Sequence, residues 1–320
     1  MNPRPRVVVG VPTYNNEDTV ERTIEVFEAQ TVPPAELVFC DASTDRTPEL
    51  IKRKAGEVDA FEITLLEQAG DGVADAYNRI LSYLDGDYDL FGTLQTDFSV
   101  DPDWVENAVE IHRAHPDVDV VNAHTGIHRR LDPTEPPYFS GRCFTAKAGV
   151  LEGVDGWDEN FLRGEDWDIR IRLTGASVTA FGTERLAYEN FADDPPITLR
   201  KALRKPTSAT FLAKYGPWYA RYHPSHVLAD ALAALAVLGV LLTPLAAPYG
   251  VALTLLTVGV YLAGHNLTMG DVDGSRVVGV VRKQFLDGIG VWSAVARLLR
   301  ERPDWNMTGF DPENTPSQAF

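Results

Sequence analysis

The sequence predicts an α/β domain, with helices on both faces of a mostly parallel sheet, followed by a transmembrane helical hairpin. Two observations support the α/β domain: short apolar runs alternate with segments of helical periodicity, and the runs end in polar residues. One apolar stretch of about forty residues near the C-terminal end supports the hairpin.

The alternation starts at the N-terminal end of the chain. Residues 6–14 form an apolar run that predicts a buried strand, and residues 17–30 place apolar side chains at helical spacing. The same patterns then predict a strand at 36–40, a helix at 47–56, a strand at 61–68, a helix at 73–84 and a strand at 89–97. Strands that alternate with helices in this way pair in parallel.

Polar residues follow the predicted strands, at the sheet edge where ligands bind in such folds. The strand ends carry Pro12, Tyr14 and Asn15 after the first strand, Asp41, Ser43 and Asp45 after the second, and Asp97 after the fourth. No dinucleotide fingerprint, P-loop or nucleophile elbow accompanies them. The segment DASTDRT after the second strand has a second interpretation, a turn that only caps the next helix.

A further acidic pair lies in the segment RGEDWDIRIRL, residues 163–173. Glu165 and Asp166 follow Gly164 and precede an apolar stripe. Acidic residues favour a helix N-terminus, so the pair is explained by capping alone. The residues of this segment alone leave a role beyond capping open.

The charge is strongly acidic and unevenly distributed. The chain has 46 acidic and 29 basic residues, a net charge of −17, and only seven lysines, a balance that suits a halophilic host. Residues 1–194 hold 17 bases and 38 acids, whereas residues 195–229 hold six bases and no acid. The acidic domain argues against nucleic acid as a partner, and the basic stretch indicates an anionic neighbour.

Residues 226–266 have a single charge and suffice for two membrane spans that turn at 244–250. The preceding basic stretch predicts a cytoplasmic, lipid-facing side, and a buried hairpin in a soluble protein is the alternative. Because MNPRPR leads directly into a strand, we expect no signal peptide, a cytoplasmic large domain and a multi-pass protein of the cell membrane.

The predicted organisation has four parts. They are a large α/β domain over residues 1–194, a basic interfacial segment over 195–225, two transmembrane helices over 226–267, and a cytoplasmic part over 268–320. In this last part, residues 276–300 form an amphipathic segment and residues 311–320 a disordered tail.

Four segments in order resemble the family 2 inverting glycosyltransferases, which have the GT-A fold. They are VVVGVPTYNNEDTVERTIEVFEAQTVPPAELVFCDASTDRT, GVADAYNRIL, LQTDFSVDPDW and GVDGWDENFLRGEDWDIRIRL, within residues 7–173. With the membrane hairpin, the arrangement is similar to lipid-carrier glycosyltransferases of protein N-glycosylation, including those of halophilic archaea.

The resemblance implies a site for a nucleotide-diphosphate sugar, with a UDP-sugar as the expected donor. The implied binding residues are Pro12, Tyr14, Asn15, Asp41, Ser43, Asn78, Gln95 and Asp97. The family pattern Asp-x-Asp, which holds a divalent metal, reads Gln95-Thr96-Asp97 here. The resemblance therefore implies Mn²⁺ or Mg²⁺ at Asp97, with Glu189 as a second candidate ligand in place of a histidine.

The resemblance also gives the acidic pair a role. Asp166 corresponds to the catalytic base, which takes the proton of the acceptor hydroxyl, and Glu165 and Trp167 lie on the acceptor side. The implied reaction is transfer of a hexosyl or glucuronosyl group, with inversion, to a polyprenyl- or dolichol-phosphate-linked saccharide. The product would serve protein N-glycosylation or cell-surface glycans.

Three other functions remain as alternatives. A polyprenyl-phosphate sugar synthase would use an anionic nucleophile, which needs no base at Asp166. A processive polysaccharide synthase would show Gln-x-x-Arg-Trp after the acidic pair, and the sequence has none. A degenerate nucleotide-binding scaffold is favoured only by Gln95, while Asp41, Asp97 and Asp166 argue for an enzyme.

Overall fold

The structure is a computed structural model that describes residues 5–123, 141–191, 199–204, 207–269, 274–313 and 315. The chain divides into two compact units. The first comprises residues 1–194 together with 306–320, and the second comprises residues 195–305.

The first unit begins with the predicted alternation of strands and helices. Its elements are β1 (Val7–Thr13), α1 (Val20–Glu28), β2 (Glu36–Asp41), α2 (Thr47–Ala55), β3 (Glu62–Glu67), α3 (Gly72–Leu84) and β4 (Leu90–Leu94). The fourth strand ends at Leu94 rather than at residue 97, and a turn separates it from β5 (Phe98–Val100). Asp97 therefore lies in a turn beyond the strand.

The rest of the first unit completes the sheet. Its elements are α4 (Trp104–Ala114), β6 (Val120–Ala123), β7 (Cys143–Lys147), a 3-10 helix (Glu152–Val154), α5 (Glu165–Gly175), β8 (Ala180–Thr183), a second 3-10 helix (Glu184–Leu186) and β9 (Tyr188–Asn190). The main sheet has the order β3-β2-β1-β4-β7-β6-β8, and β5 pairs with β9 separately.

The sheet is mostly parallel, as predicted. β1 pairs in parallel with β2 and β4, β2 with β3, and β6 with β8. Only β7 runs antiparallel to its neighbours in this sheet, β4 and β6. It is the fifth of the seven strands, and its Cys143 pairs with Leu94, which brings the chain just before it, Gly141 and Arg142, to the end of β4.

Both faces of the sheet are covered by apolar packing. Val7, Val9 and Val11 of β1 point into one cluster with α1 and α4, while Val8 points into the other with α3 and α5. A strand buried on both faces reads as a continuous apolar run, which explains the pattern of residues 6–14.

The second unit is helical. Its helices are α6 (Leu199–Arg204), α7 (Ser208–Tyr215), α8 (Pro217–Tyr222), α9 (Pro224–Leu242), α10 (Ala247–Met269) and α11 (Gly274–Glu301). Of the described helices, α9 is long and apolar enough to cross a membrane, and α10 has a shorter apolar stretch at Ala247–Tyr261. The membrane hairpin stays a prediction. Part of the basic segment (195–198 and 205–206) lies outside the described residues.

The predicted amphipathic segment at 276–300 lies within α11, which packs on α9. Trp292 Nε1 donates to the Ala234 carbonyl at 3.0 Å, and a Cβ on Gly288 would lie 2.2 Å from the Ala233 oxygen. α11 is therefore packed against α9 at Gly288, while Trp292 stays 43 % exposed.

The prediction of a disordered tail after residue 310 is wrong for its first part. Thr315 is 1 % exposed, and its hydroxyl donates to the Asp311 carbonyl at 2.6 Å. The segment packs on the end of α5, a contact between residues far apart in sequence. Residues 314 and 316–320 lie outside the described residues.

Candidate active site

The ends of β1 and β2 meet at the Asp41 carboxylate. Thr13 and Asp41 are register partners, and the Thr13 hydroxyl donates to Asp41 Oδ1 at 2.6 Å. The Ser43 hydroxyl donates to the same oxygen at 2.6 Å, and the Ser43 amide donates to Oδ2 at 3.1 Å. These donors fix the carboxylate at the edge of the sheet.

The loop after β1 is tied to the loop after β2. The Asn15 amide donates to Ser43 Oγ at 2.7 Å, and Asn15 Oδ1 accepts from the Thr44 amide at 2.8 Å. Asn15 has φ 54°, a left-handed conformation that asparagine tolerates better than most residues. Tyr14 beside it is half exposed, and Pro12 pairs with Cys40 in the sheet. The five residues predicted at these two strand ends therefore lie together.

The capping interpretation of DASTDRT applies to Asp45 rather than to Asp41. Asp45 Oδ1 accepts from the amide and the hydroxyl of Thr47, at the start of α2, at 3.0 and 2.6 Å. Its second oxygen accepts from the Glu17 amide at 3.2 Å. Asp41 instead accepts hydrogen bonds from Ser43 in the turn and from Thr13 of β1. Capping of α2 therefore does not explain the position of Asp41 at the strand ends.

The turn from Gln95 to Asp97 is held by its main chain. The Gln95 amide donates to the Arg142 carbonyl at 3.2 Å, and the Thr23 hydroxyl of α1 donates to the Thr96 carbonyl at 3.2 Å. The Asp97 carbonyl accepts from the Phe191 amide at 3.0 Å. This last bond continues the pairing of β5 with β9 and brings the segment of Glu189 beside Asp97.

The residues of this turn fit a divalent cation bound mainly by oxygen. Glu189 is exposed and is the register partner of Ser99, two residues beyond the half-buried Asp97. The part of the chain that the structure describes has no group of three histidine, cysteine or acidic residues able to hold a metal. Mg²⁺ is commonly held by one or two carboxylates with substrate phosphates and water, so Asp97 and Glu189 stay the candidate protein ligands.

The acidic pair lies at the N-terminus of α5. Glu165 is the first residue of this helix, and Gly164 before it has φ 81°, a conformation that favours glycine. Asp166 Oδ1 accepts from the Trp167 amide at 2.9 Å. Trp167 is 38 % exposed and presents an aromatic surface next to the acids.

Burial changes the proton affinity of both acids. Loss of solvent, together with the Asp166 charge, raises the pKa of Glu165 to about 7. Loss of solvent also raises the pKa of Asp166, while its backbone hydrogen bonds and the Arg142 and Arg170 cations oppose that rise. The pair therefore holds a proton more readily than two exposed carboxylates, and near neutral pH Glu165 is the better candidate to hold it.

A dipeptide before β7 joins the acidic pair to the turn at Gln95. Gly141 lies against Asp166, since a Cβ on residue 141 would be 2.9 Å from the Asp166 Cβ. Arg142 bonds to Gln95 through its carbonyl, and its guanidinium lies 5.6 Å from the centre of the Phe98 ring. The acidic pair and the turn of Asp97 therefore share one support.

Tyr77 and Trp157 support the acidic pair through Gly141, which lies against Asp166. Neither residue was predicted from the sequence. Their rings stack with centroids 4.6 Å apart, and the Tyr77 hydroxyl donates to the Gly141 carbonyl at 3.4 Å. Burial, then the Glu165 charge, raises the pKa of Tyr77, which keeps its hydroxyl a donor. The GVDGWDENF segment before the acids was the sequence signal that could have identified Trp157.

The Asn78 side chain bonds to the main chain of Trp157. Its Oδ1 accepts from the Trp157 amide at 2.8 Å, and its Nδ2 donates to the Trp157 carbonyl at 2.8 Å and to Glu159 at 2.9 Å. A Cβ on Gly156 would lie 2.4 Å from the Asn78 amide oxygen. The amide of Asn78 thus holds Trp157 in this structure, and its predicted contact with a nucleotide stays a prediction.

Comparison with known proteins finds a family match within the first unit. Residues 8–153 match the model of glycosyl transferase family 2. The chain is 32% identical over 195 residues to a hyaluronan synthase of Pasteurella multocida, and 32% identical over 191 residues to a chondroitin synthase of P. multocida strain Pm70. These matches cover 54% and 53% of this chain, and 19% of each relative, so the chain spans about a fifth of their length.

A solved structure supports the fold. The mannosyltransferase of Pyrobaculum calidifontis, in complex with GDP-mannose and Mn²⁺, superposes with a TM-score of 0.59 at 20% identity, over 94% of this chain and 89% of that one. Residues 8–153 are therefore similar to glycosyl transferase family 2 domains, and the chain shares the fold of this mannosyltransferase.

Proposed function

We propose that the chain transfers a hexosyl or glucuronosyl group from a nucleotide-diphosphate sugar to a hydroxyl of a polyprenyl- or dolichol-linked saccharide, with inversion. The observation that carries the proposal is the junction at Gly141 and Arg142, which links the Asp166 carboxylate to the turn of Asp97. A base for the acceptor and a binding turn for the diphosphate are the two parts that such a transfer needs.

In this proposal the ends of β1 and β2 bind the nucleotide. Asp41 offers a fixed carboxylate that accepts from a base imide or a ribose hydroxyl, and Tyr14 offers an exposed ring beside it. UDP is the expected nucleotide. The relatives and the mannosyltransferase act on different sugars by their names, so the sugar has to be found by assay.

The chemistry at the acceptor belongs to Asp166. An ionised Asp166 takes the hydroxyl proton as the oxygen attacks the anomeric carbon, and the bond to the diphosphate breaks on the opposite face. When Glu165 holds the proton of the pair, Asp166 is ionised, which is the state a base requires. A bound Mn²⁺ or Mg²⁺ at Asp97 and Glu189 would neutralise charge on the leaving diphosphate.

Membrane attachment accounts for the second unit. α9 has the length and composition of a membrane span, and the bases of residues 195–229 other than the buried Lys214 suit anionic lipid headgroups on the cytoplasmic side. An acceptor on a polyprenyl carrier is itself confined to the membrane. We therefore place the protein in the cell membrane, multi-pass, with its catalytic unit in the cytoplasm, in glycan assembly for protein N-glycosylation or cell-surface glycans of a halophile.

A donor and acceptor screen tests the proposal. Membranes holding the full chain are assayed in high salt with Mn²⁺ or Mg²⁺, with UDP- and GDP-sugars and with saccharides linked to polyprenyl diphosphate. We expect transfer from one donor to the lipid-linked saccharide, and none in membranes holding the Asp166→Asn variant. Transfer only to polyprenyl phosphate, or hydrolysis of the donor without an acceptor product, would reject the proposed acceptor.

The orientation in the membrane needs its own test. Tags at the two termini of the full chain are exposed to protease in sealed vesicles. The proposal expects both tags on the cytoplasmic side, since an even number of spans returns the chain there. A C-terminal tag on the other side would contradict the proposed topology.

A further inference from the structure

The chain returns to the first unit after its helices. The returning segment, residues 306–313 with Thr315, is called the C-terminal strap here. The Asn306 amide donates to Asp158 Oδ2 at 3.1 Å, and Asn306 Nδ2 donates to the Asp155 carbonyl at 2.9 Å. These partners are 148 and 151 residues away in sequence. The first anchor of the strap is therefore the loop that follows the 3-10 helix Glu152–Val154.

The second anchor is the C-terminal end of α5. A Cβ on Gly175, the last residue of α5, would lie 2.3 Å from the Gly309 carbonyl oxygen and 2.6 Å from the Asp311 nitrogen. A Cβ on Gly309, at φ 85°, would lie 2.7 Å from the Arg172 carbonyl oxygen. Neither glycine has room for a larger residue, so the strap and the helix end are in direct backbone contact.

The two anchors of the strap are joined to each other beneath the acidic pair. The Arg172 guanidinium, fully buried, pairs with Asp168 at 2.9 Å and donates to the carbonyls of Val154 and Gly156. It thereby ties α5 to the loop that Asn306 holds. A buried pair that loses one partner leaves an uncompensated charge, so breaking this connection is costly.

The loop continues from the strap toward the site. Trp157 lies between the anchored Asp155 and Asp158, and it stacks on Tyr77. Tyr77 donates to the Gly141 carbonyl, and Gly141 lies against Asp166. The strap therefore contacts the C-terminal end of α5 and the loop that carries Trp157. These two structures set the position of the acidic pair.

The composition of the strap argues against a role as apolar cover alone. Its anchors are an amide, main-chain groups and a glycine, and the side chain of Met307 is exposed. Hydrogen bonds with defined geometry and close backbone contact fix the position of the strap.

We propose that Asn306 and Gly309 of the C-terminal strap are positioning residues for the base Asp166. The inference rests on the proposed function, because it assigns the strap to the same acidic pair. The strap contacts α5 at its C-terminal end and bonds to the loop that carries Trp157. These contacts fix the geometry in which the Asp166 carboxylate meets the acceptor hydroxyl. Catalysis is sensitive to such placement, and a shift of about 1 Å costs on the order of 10²-fold in rate.

Gly175→Ala in the full chain tests this directly. Alanine suits a helix better than glycine, so the substitution does not weaken α5 itself and acts by displacing the strap. Gly153→Ala is the matched control, since a Cβ there meets no atom within 4 Å. Asn306→Asp is the second variant. It retains the acceptor for the Thr308 amide and removes the donors to the Asp155 and Val154 carbonyls.

The measurements are kcat, the KM for the donor that the wild type uses best, and hydrogen exchange over residues 154–175. We expect Gly175→Ala and Asn306→Asp to lower kcat by about 10- to 100-fold with the donor KM within about twofold, and to speed exchange over these residues. Gly153→Ala should match the wild type in all three.

Two results separate the failure of this inference from failure of the proposed function. An active wild type with unchanged kcat in both variants, whether or not exchange is faster, would overturn the positioning role and leave the strap a stability element. A wild type that transfers no sugar from any donor rejects the proposed function instead, and the positioning role with it. If Gly175→Ala does not fold, Asn306→Asp decides.

Discussion

Gly141 lies against Asp166 with no space for a side chain between them. A Cβ on residue 141 would be 2.9 Å from the Asp166 Cβ, and the Gly141 carbonyl also accepts from Tyr77. The glycine therefore sets how far the carboxylate reaches into the crevice, and the stacked Tyr77 and Trp157 rings hold the glycine.

Gly141→Ala should displace the Asp166 carboxylate without removing it. We expect kcat to fall by about 10- to 100-fold, because a positioned base loses its alignment with the acceptor hydroxyl. Nucleotide affinity, measured by calorimetry, should stay within about twofold, since the ends of β1 and β2 are untouched. Equal loss of nucleotide binding would mean that the change disrupts the crevice as a whole.

Glu165 should give the protein a distinctive dependence on pH. Its folded-state pKa of about 7 lies above its ordinary value of 4.5, so the folded protein binds more protons than the unfolded protein between these pH values. Stability should therefore fall as the pH rises from about 4.5 through about 7.

Glu165→Gln removes that titration and tests its origin. Thermal unfolding of the wild type and the variant is compared from pH 5 to pH 8. The difference in Tm should shift in favour of the variant as the pH rises. A pH-independent difference would assign the titration to another group. Transfer should fall less in Glu165→Gln than in Asp166→Asn, because Glu165 is expected to orient rather than to accept the proton.

The sequence predicts the alternating elements and the position of the acidic pair because both depend on local patterns. Burial gives β1 its continuous apolar run, and Glu165 starts α5 where the acids follow Gly164. Long-range pairing leaves no such pattern. The antiparallel position of β7, the bonds of Asn78 to Trp157 and the return of Asn306 to Asp158 each join residues distant in the chain.

Asp41→Ala should weaken nucleotide binding. The Thr13 and Ser43 hydroxyls would lose their shared acceptor, and the nucleotide would lose a fixed carboxylate. We expect about a 10-fold or greater rise in the Kd for UDP, or for the nucleotide of the active donor, by calorimetry in high salt; this corresponds to roughly 1.4 kcal/mol or more. Asp59→Ala, an exposed acid outside the site, serves as control. Unchanged affinity would remove Asp41 from the site.

Transfer should require a divalent cation although Gln95 replaces one acid of the family pattern. Chelation should abolish transfer and added Mn²⁺ or Mg²⁺ should restore it, since the leaving diphosphate needs compensating charge. Asp97→Ala should respond to neither cation. Glu189→Gln should raise the Mn²⁺ concentration needed for half-maximal rate, whereas Glu184→Gln, also exposed and outside the turn, should not. Full activity in excess chelator would contradict the metal requirement.

Asp166→Asn tests the central claim most directly. Asparagine has nearly the same shape and can still accept from the Trp167 amide through Oδ1, so the start of α5 is preserved while the proton acceptor is lost. The measurement is the rate of sugar transfer at saturating donor, with donor affinity measured by calorimetry on the same preparation. We predict unchanged affinity and a transfer rate about 10²- to 10⁴-fold below the wild type. A variant that binds the donor and transfers sugar at near the wild-type rate would contradict the assignment of Asp166 as the base.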